Sequence, residues 1–479
     1  MKRLTAINPM IPALALPLVG LAVPALAQEA TDSAAAVVQT VAPIVDKGDT
    51  TWMMVSAILV IMMTVPGLAL FYGGLVRAKN MLSVLMQVFT IFCIMALLWV
   101  CFGYSLAFTG AGSAEDATAL TPFIGTLSKA FLAGVNTSSL AETFTQNVFV
   151  PEYVFIIFQM AFACIAPALI VGATVERMKF SAVLLFVVIW FFFSYLPMAH
   201  MVWWWGGPSA YTAPSGYLFG HGALDFAGGT VIHINAGVAG LVASIVVGPR
   251  LGFGKELMAP HNLPFTLLGG CLLWVGWFGF NAGSNMEATG TAALAILNTT
   301  VATAAAALAW AFGEWLFRGH PSLLGGVSGA IAGLVAITPA AGFVGPIGAI
   351  ALGLIAGFLC MWFVISIKGK LGIDESLDVF GIHGIGGIIG AILTGVFAAP
   401  SLGGSGIFDY STGAVAPDYD MMGQVMTQAL GVLVAVVWSG VVSFVALMIV
   451  KAVIGLRVPA NDERQGLDIT SHGENAYNS

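Results

Sequence analysis

Long apolar segments without a single charged side chain limit how this chain can fold. Only 8% of its 479 residues are charged and 59% are hydrophobic, whereas about a quarter of the residues in a soluble protein are charged. Most of the uncharged runs hold one helix of about 20 residues, the length that crosses the hydrocarbon of a bilayer. Because the runs are continuously apolar and do not alternate, they predict helices and not a β-barrel. We therefore expect an all-α polytopic membrane protein.

The charged residues also determine how many spans are predicted. The uncharged runs are 50–76, 80–114, 153–175, 180–224, 226–249, 257–286, 288–313, 319–367, 379–408 and 421–450. The run 319–367 is too long for one helix, and the turn signal in residues 338–342 divides it. Eleven transmembrane helices are therefore predicted.

Lysine and arginine are distributed very unevenly between the two sides of these spans. One side carries Arg77, Lys79, Arg177, Lys179, Arg250, Lys255, Arg318, Lys368, Lys370, Lys451, Arg457 and Arg464. Beyond the first few residues, the opposite side carries only Lys47 and Lys129. Because basic residues accumulate on the cytoplasmic side, we predict a periplasmic N-terminus and a cytoplasmic C-terminus.

Residues 1–27 have the pattern of a cleaved signal peptide. Lys2 and Arg3 precede an apolar stretch that ends in Ala25-Leu26-Ala27, a small-residue cleavage site. An uncleaved first membrane helix is the alternative, and three prolines within the stretch argue against it. We divide the rest of the chain into a periplasmic segment 28–50, an eleven-helix domain 51–456 and a cytoplasmic tail 457–479. Such a leader is typical of a bacterial envelope protein, here one of the inner membrane.

Several classes of function are disfavoured by composition. The five cysteines all lie in apolar runs without a CxxC pair, which predicts neither a disulfide framework nor a thiolate metal site. A formal net charge of −7 argues against a nucleic-acid partner. No set of nucleophiles or metal ligands at one membrane depth is evident, so we predict neither an enzyme nor a cofactor.

Two segments share a motif that contains ionisable residues. Both read acid-x7-His-x3-Gly-x2-Gly, with the residues Asp225, His233, Gly237 and Gly240 in one and Glu375, His383, Gly387 and Gly390 in the other. By the charge pattern, spans five and ten start from opposite sides of the membrane. Two five-helix halves of inverted topology, spans 1–5 and 6–10, followed by an eleventh helix account for this. Transporters with inverted repeats have their site at the repeat interface.

His233 and His383 are the most informative residues of the motif. An ionisable side chain at membrane depth is costly and usually faces the bundle interior or a pathway. The alternative is a core histidine that a neighbouring carbonyl satisfies. The glycines allow close helix approach, which would bring the two imidazoles together along a narrow pore. Imidazole exchanges protons near neutral pH, so a permeant that handles protons is predicted, whereas two histidines are too few for a catalytic metal.

Asp225 lies two turns before His233 and has two interpretations. It either attracts a cation or caps the helix, and the structural role is favoured. Glu375 is its cytoplasmic counterpart.

Aromatic residues cluster at the predicted outer ends of spans three, four and six. Trp203, Trp204 and Trp205 form either an interfacial belt or a cation–π site, and Ser284 is placed to accept a hydrogen bond from such a cation. Phe162 and Phe280 form either ordinary packing or a stacked apolar gate that excludes hydrated ions.

Several motifs resemble those of the ammonium transporter (Amt/Mep/Rh) family, and closely those of bacterial Amt proteins. They are Pro66–Gly74, Phe158–Cys164, Ala199–Trp203, His221–His233, Gly276–Ser284, Asp378–His383, Gly455–Val458 and Ser471–Tyr477. The matching segments cover roughly nine-tenths of the chain. Three features depart from the family pattern. Trp204 and Trp205 stand where glycines are common, Glu375 stands where relatives often have Asp, and residues 110–150 have no clear counterpart.

The resemblance implies a homotrimer in the lipid membrane, with one pore per subunit for ammonium, ammonia and methylammonium. It assigns Trp203, Ser284, Phe158, Phe162 and Asp225 to ammonium binding. The twin gate would be formed by Phe162 and Phe280, and the proton-handling pore lining by His233 and His383. The tail would be regulatory and would bind a PII-type signalling protein. The predicted function is ammonium uptake with deprotonation at the gate. An ammonium sensor with little transport is the alternative, although such relatives usually carry a long C-terminal signalling domain.

Overall fold

The computed structural model describes residues 43–477. The predicted leader 1–27 and most of the segment 28–50 lie outside these residues. The described chain is mostly helical, and ten of its helices are long and apolar enough to cross a membrane. Together with one shorter apolar helix we number them α1 (Lys47–Leu75), α2 (Ala78–Phe108), α3 (Glu152–Thr174), α4 (Phe180–Trp203), α5 (Gly229–Val247), α6 (Leu263–Gly283), α7 (Gly290–Arg318), α8 (Leu323–Ile337), α9 (Pro346–Ile367), α10 (Phe380–Phe397) and α11 (Met421–Val453).

The helix α8 differs from the other ten in length. It has 15 residues, about five fewer than a crossing requires. It starts at a cap, where the Ser322 hydroxyl accepts a hydrogen bond from the Gly325 N–H at 2.8 Å. It ends at Ile337, two residues before Pro339, which has no N–H to continue the helical hydrogen bonds. The turn predicted for residues 338–342 is confirmed, whereas the predicted count of eleven crossing helices is not met by length alone.

Six short stretches of these helices are π-helical turns, in which each backbone hydrogen bond spans five residues instead of four and the helix is wider. They are Met63–Leu68, Trp99–Gly103, Phe191–Tyr195, Gly229–Ile234, Phe363–Ile367 and Phe380–Gly384. Pro66 lies in the first of them and cannot donate a backbone hydrogen bond. Such turns often occur at functional sites, and two of them contain His233 and His383.

Glycines bring α5 and α10 into direct backbone contact. A Cβ atom on Gly237 would lie 2.4 Å from the backbone nitrogen of Gly384, and one on Gly387 would lie 2.9 Å from the Ile234 side chain. Any larger residue would therefore force the two helices apart. This contact confirms the close approach that the glycines of the repeated motif predict, and it positions the segments that carry His233 and His383.

An ion-pair network connects the loops at one end of the bundle, which we call the Arg250 end. The Glu176 carboxylate pairs with Arg77 at 2.9 Å and with Arg250 at 3.0 Å, and Arg250 also pairs with Asp374 at 2.7 Å. Burial alone would raise the pKa of Glu176, but its two arginine partners lower it. The network therefore fixes the start of α10 relative to the loops after α1, α3 and α5.

The tail packs against the same end of the bundle. Two short helices, α12 (Ala460–Gln465) and α13 (Leu467–His472), form most of it. The Asn80 side-chain oxygen accepts a hydrogen bond from the Leu467 N–H at 2.9 Å, and the Asp468 carboxylate accepts one from the Ser83 N–H at 2.8 Å. Within the tail, an ion pair of 2.8 Å joins Arg457 to Glu463, and the Glu463 carboxylate also accepts from the Leu251 N–H at 2.7 Å. These contacts hold the tail against the helix ends.

The opposite end, which we call the Trp203 end, carries the long connections. Strand β1 (Ile44–Val45) pairs in parallel with β3 (Val148–Pro151), which pairs antiparallel with β2 (Leu140–Glu142). A second hairpin consists of β4 (Phe408–Asp409) and β5 (Ala414–Val415). Residues 110–150, for which the sequence predicts no role, therefore contribute most of a small sheet at this end.

Candidate functional site

The Asp225 carboxylate holds the start of α5. Its Oδ1 accepts hydrogen bonds from the N–H groups of Gly228 and Gly229 at 2.9 and 2.6 Å, and its Oδ2 accepts from Thr230 and Val231 at 2.9 and 3.1 Å. These are the amides that a helix start leaves unpaired. Burial nevertheless raises the pKa of Asp225, although the four amides oppose this shift. The carboxylate thus has the geometry of a cap, the structural role that the sequence favoured.

The backbone after Asp225 leads into the π-helical turn that carries His233. Gly228 has a φ of 115°, a left-handed conformation that a glycine adopts without steric cost. The turn Gly229–Ile234 follows directly. The wider turn changes the direction in which the following side chains point, and His233 is buried in the bundle.

The second copy of the motif has the same local geometry. The Glu375 carboxylate accepts a hydrogen bond from the Phe380 N–H. Asp378, three residues after the acid, has a φ of 59°, and His383 lies in the π-helical turn Phe380–Gly384. Because Asp225 precedes α5 at the Trp203 end and Glu375 precedes α10 at the Arg250 end, the two copies start from opposite ends of the bundle.

The two histidine rings meet in the middle of the bundle. Their Nδ1 atoms are 3.2 Å apart, and the ring planes are 16° from parallel with centroids 5.2 Å apart. A hydrogen bond across this contact requires one Nδ1 to carry a hydrogen and donate the bond while the other accepts it, so two neutral rings would hold opposite tautomers. The Nε2 of His233 is buried without a hydrogen-bond partner among residues 43–477. The His233 ring is therefore available to exchange a proton with a small molecule.

A narrow apolar cavity adjoins the histidine pair. It is lined by Met63, Leu68, Phe71, Ile165, Leu169, His233, Leu273, Trp277, Phe280, Ile331 and His383. The space has room for about one water-sized molecule. Apart from the two imidazoles, the only polar side-chain atom of the lining is the indole nitrogen of Trp277, which donates to the Thr338 hydroxyl at 2.9 Å. A charged species in this cavity would lose nearly all of its hydration.

Two stacked phenylalanines close the cavity toward the Trp203 end. The rings of Phe162 and Phe280 are 14° from parallel with centroids 4.2 Å apart. Phe158 packs on Phe162 at 4.8 Å, and the ring of His233 lies 6.0 Å from that of Phe280. The side chains of all three phenylalanines are at most 1% exposed. The phenylalanine stack thus forms an apolar barrier directly beside the histidine pair.

The three consecutive tryptophans have different surroundings. Trp203 meets the edge of Phe162 at 6.0 Å, and its indole nitrogen donates to the backbone carbonyl of Asp225 at 3.0 Å. Trp204 is buried and stacks on His200 at 4.6 Å. Trp205 packs against other aromatic residues of the connecting loops. Of the three, Trp203 is therefore the indole beside the phenylalanine stack.

Ser284 lies at the end of α6, where its hydroxyl donates to the carbonyl of Phe280 at 2.8 Å. This bond leaves the lone pairs of the hydroxyl oxygen free to accept from another donor. The structure thus gathers the predicted site residues into one contiguous group. Phe162 contacts both Phe280 and Trp203. The Ser284 hydroxyl bonds to the Phe280 carbonyl, and the Asp225 carbonyl accepts from the Trp203 indole. His233 lies beside Phe280.

Sequence reasoning missed Trp277 as a member of this site. Its ring stacks on His233 with centroids 5.3 Å apart. It directly follows Gly276, the first residue of the motif Gly276–Ser284. Trp277 stands three residues before Phe280, which puts the two rings on the same helix face. This spacing is the sequence feature that could have predicted its place in the site. Within residues 43–477, no group of three or more His, Cys, Asp or Glu side chains is arranged to hold a metal ion.

Comparison with known proteins identifies the family. A sequence profile of the Ammonium Transporter Family matches residues 51–477. An ammonium transporter of Aquifex aeolicus is 46% identical over 434 residues, which cover 90% of this chain and 94% of that protein. A solved structure described as a sensor Amt protein has a TM-score of 0.77 and 29% identity, covering 89% of this chain and 98% of that one.

A second solved structure, Mep2 of Candida albicans, has a TM-score of 0.75 and 32% identity, and the match covers 87% of each chain. The resemblance predicted from the sequence motifs is thereby confirmed. This multi-pass membrane protein belongs to the Ammonium Transporter Family.

Proposed function

We propose that this chain is an ammonium transporter that removes a proton from ammonium and passes ammonia through the cavity beside His233 and His383. The observation that carries the proposal is the order of the path, in which the phenylalanine stack is followed directly by two buried imidazoles. Ammonium is captured between Trp203 and Ser284, where the indole face attracts the cation and the hydroxyl oxygen accepts one of its N–H groups.

Deprotonation gives the path its selectivity. A bare cation in an apolar cavity costs tens of kcal/mol in the idealised limit of low dielectric, whereas ammonia is neutral. Ammonium can avoid this cost by giving up a proton, and potassium and sodium cannot. Asp225 is not the acceptor of this proton in our proposal, because four amides already occupy its carboxylate. The acceptor is water at the mouth or the histidine pair.

The fate of the proton distinguishes two versions of the proposal. In an ammonia channel the proton returns to the water outside. In an electrogenic transporter it crosses through the Nδ1–Nδ1 contact of His233 and His383. Purified protein in liposomes should carry an ammonium-dependent current in the second version, whereas transport without current would eliminate it.

His233→Asp tests the filtering role of the histidine pair. A carboxylate in the cavity would favour cations and water, so we expect a potassium current that the unaltered protein does not carry. His320→Asp is a matched control, because His320 is exposed on the connection after α7. If His233→Asp leaves the discrimination against potassium unchanged, the histidines have no filtering role.

A sensor is the second candidate, because one solved relative is described as a sensor Amt protein. Uptake of radiolabelled methylammonium separates the two functions. A transporter should accumulate the label, excess ammonium should compete and potassium should not. A sensor would bind methylammonium but accumulate little of it.

We propose the following architecture for the transporter. The opposite starting ends of α5 and α10, with an acid, a left-handed residue and a π-helical turn at matching positions in each, support an inverted repeat of α1–α5 and α6–α10, followed by α11. The short α8 then serves as the eighth span. We place the N-terminus in the periplasm and the tail in the cytoplasm of a bacterial inner membrane, after cleavage of residues 1–27.

We further propose a homotrimer and a PII-type regulatory partner, both on the basis of family membership. The tail packs on the Arg250 end, which the charge distribution assigns to the cytoplasm. A regulator would bind at this end, where the tail and the loops are joined. Crosslinking in membranes tests the trimer, and co-purification of a PII-type protein tests the partner.

A further inference from the structure

Glu287 lies at the Trp203 end and is an exception among the buried carboxylates. Within residues 43–477, ten Asp and Glu side chains are buried. Nine of them accept from a backbone amide or pair with a lysine or arginine: Asp49, Glu152, Glu176, Asp225, Glu314, Asp374, Glu375, Glu463 and Asp468. Glu287 accepts only from the Thr145 hydroxyl, at 2.9 Å. A buried carboxylate with a single neutral partner is costly.

The start of α7 compensates this charge only in part. Glu287 lies three residues before Gly290, the first residue of α7, and the positive end of the helix dipole favours an anion there. Its carboxylate nevertheless accepts no amide of that helix among the described residues. By contrast, Asp225 accepts four amides at the start of α5. The Glu287 carboxylate therefore retains capacity for a cationic partner.

Aromatic rings surround this region. Trp205 packs against Phe219 and Tyr410, with centroids 5.0 Å away in each case, and Tyr211 lies 5.4 Å from Tyr410. Burial, followed by the charge of Glu287, raises the pKa of Tyr410 to about 12. Phe144, the residue before Thr145, stacks on Trp205 with centroids 6.0 Å apart. The Thr145 contact of Glu287 therefore lies beside this aromatic group, and aromatic faces attract cations.

This group lies next to the proposed capture site. Glu287 follows Ser284 by three residues and Trp205 follows Trp203 by two. The two segments that form the mouth therefore both continue into the region around Glu287, Trp205 and Tyr410. Thr145, on the turn between β2 and β3, is the contact from the long connection for which the sequence predicts no role.

We propose that Glu287, Thr145 and the ring of Tyr410 form an outer cation site, which binds ammonium or methylammonium before it reaches Trp203 and Ser284. The inference rests on the proposed function for its ligand. The carboxylate and the hydroxyl oxygen accept N–H groups, and the ring faces the remainder of the cation. A single carboxylate fits a monovalent cation, since divalent metals in proteins take several oxygen ligands.

Glu287→Gln in the full chain tests the site. It keeps the shape of the side chain and its bond to Thr145 but removes the charge. We expect the half-saturating methylammonium concentration for uptake into liposomes to rise roughly fivefold, with the maximal rate unchanged. Tyr410→Leu should act in the same direction. Asp418→Asn is the matched control, because Asp418 is exposed on the connection between α10 and α11 and should leave the uptake curve unchanged.

Equilibrium dialysis of labelled methylammonium against detergent-purified protein gives a readout without transport. Glu287→Gln should bind less methylammonium at subsaturating concentrations, and Glu287→Asp should retain most of the binding. Identical isotherms and uptake curves for the parent chain and Glu287→Gln would overturn the site and leave the proposed function intact. The parent chain could instead bind methylammonium without taking it up. If Glu287→Gln then lost that binding, the site would be supported and the transport proposal refuted.

Discussion

The two acid–histidine segments reach the same geometry by different means. In the first, Asp225 accepts four amides and a glycine occupies the left-handed position. In the second, Glu375 accepts the Phe380 amide, and Asp378 occupies the left-handed position and pairs with Lys368. The comparison shows that the positions of the histidines depend on a shared backbone path. Each segment stabilises that path with its own set of contacts.

The largest expected difference between the segments lies in their acids. Asp225→Ala removes the acceptor of four buried amides and should lower the free energy of unfolding by about 4 kcal/mol, since each orphaned bond costs about 1 kcal/mol. Glu375→Ala should cost less than half as much. Thermal unfolding of the purified chains in detergent measures both. Equal losses would show that the difference in amide contacts has no energetic meaning.

The pH dependence of stability should depend mainly on the second segment. Burial raises the pKa of Glu375 to about 8, and Lys368 and the Phe380 amide oppose this shift only in part. The folded chain therefore binds this proton more tightly than the unfolded chain, where the pKa is about 4.3. Protonated Glu375 therefore stabilises the folded chain. This stabilisation is fully present below the unfolded-state pKa of about 4.3 and is lost as the pH rises through about 8.

Glu375→Gln, which is neutral at every pH, isolates this contribution. Relative to the parent chain, its free energy of unfolding should rise by roughly 2 kcal/mol between about pH 6 and pH 8. Unfolding midpoints at several pH values measure the difference. Parallel pH curves for the two chains would contradict a titrating Glu375.

The smallest expected effect concerns the left-handed residues. Gly228→Ala should lower the free energy of unfolding by about 1 kcal/mol, because φ is 115° and the new Cβ would lie 2.7 Å from Ile232 Cδ1. Asp378→Gly relieves a similar backbone strain but loses the ion pair with Lys368, so its net effect should be within about 0.5 kcal/mol. A neutral Gly228→Ala would indicate that the two positions are not equivalent.

Much of the site follows from the sequence because its parts are encoded by local spacing. The interval from acid to histidine and the glycines after it predict two similar helix starts and a close contact between them. The structure brings His233 and His383 together as that pattern predicts. Likewise, Phe162 and Phe280 stand on separate helices, and their stacking agrees with the gate interpretation.

The remaining features depend on long-range contacts that spacing does not encode. Trp203, Trp204 and Trp205 are equivalent in sequence, and only the end of α4 at Trp203 decides which indole meets Phe162. The single partner of Glu287 is on a loop 142 residues away. The short α8 could not be distinguished from a full span, because the uncharged run begins at residue 319 and the helix begins only after the cap Ser322.

The contact between the two Nδ1 atoms has a consequence for repeated proton transfer. If a proton enters at the Nε2 of one ring and another leaves from the Nε2 of its neighbour, both tautomers are reversed afterwards. A second proton cannot then follow in the same direction until each ring has exchanged or rotated back. Any relay through this pair would therefore alternate between transfer and recovery, and the slower of the two steps would limit its rate.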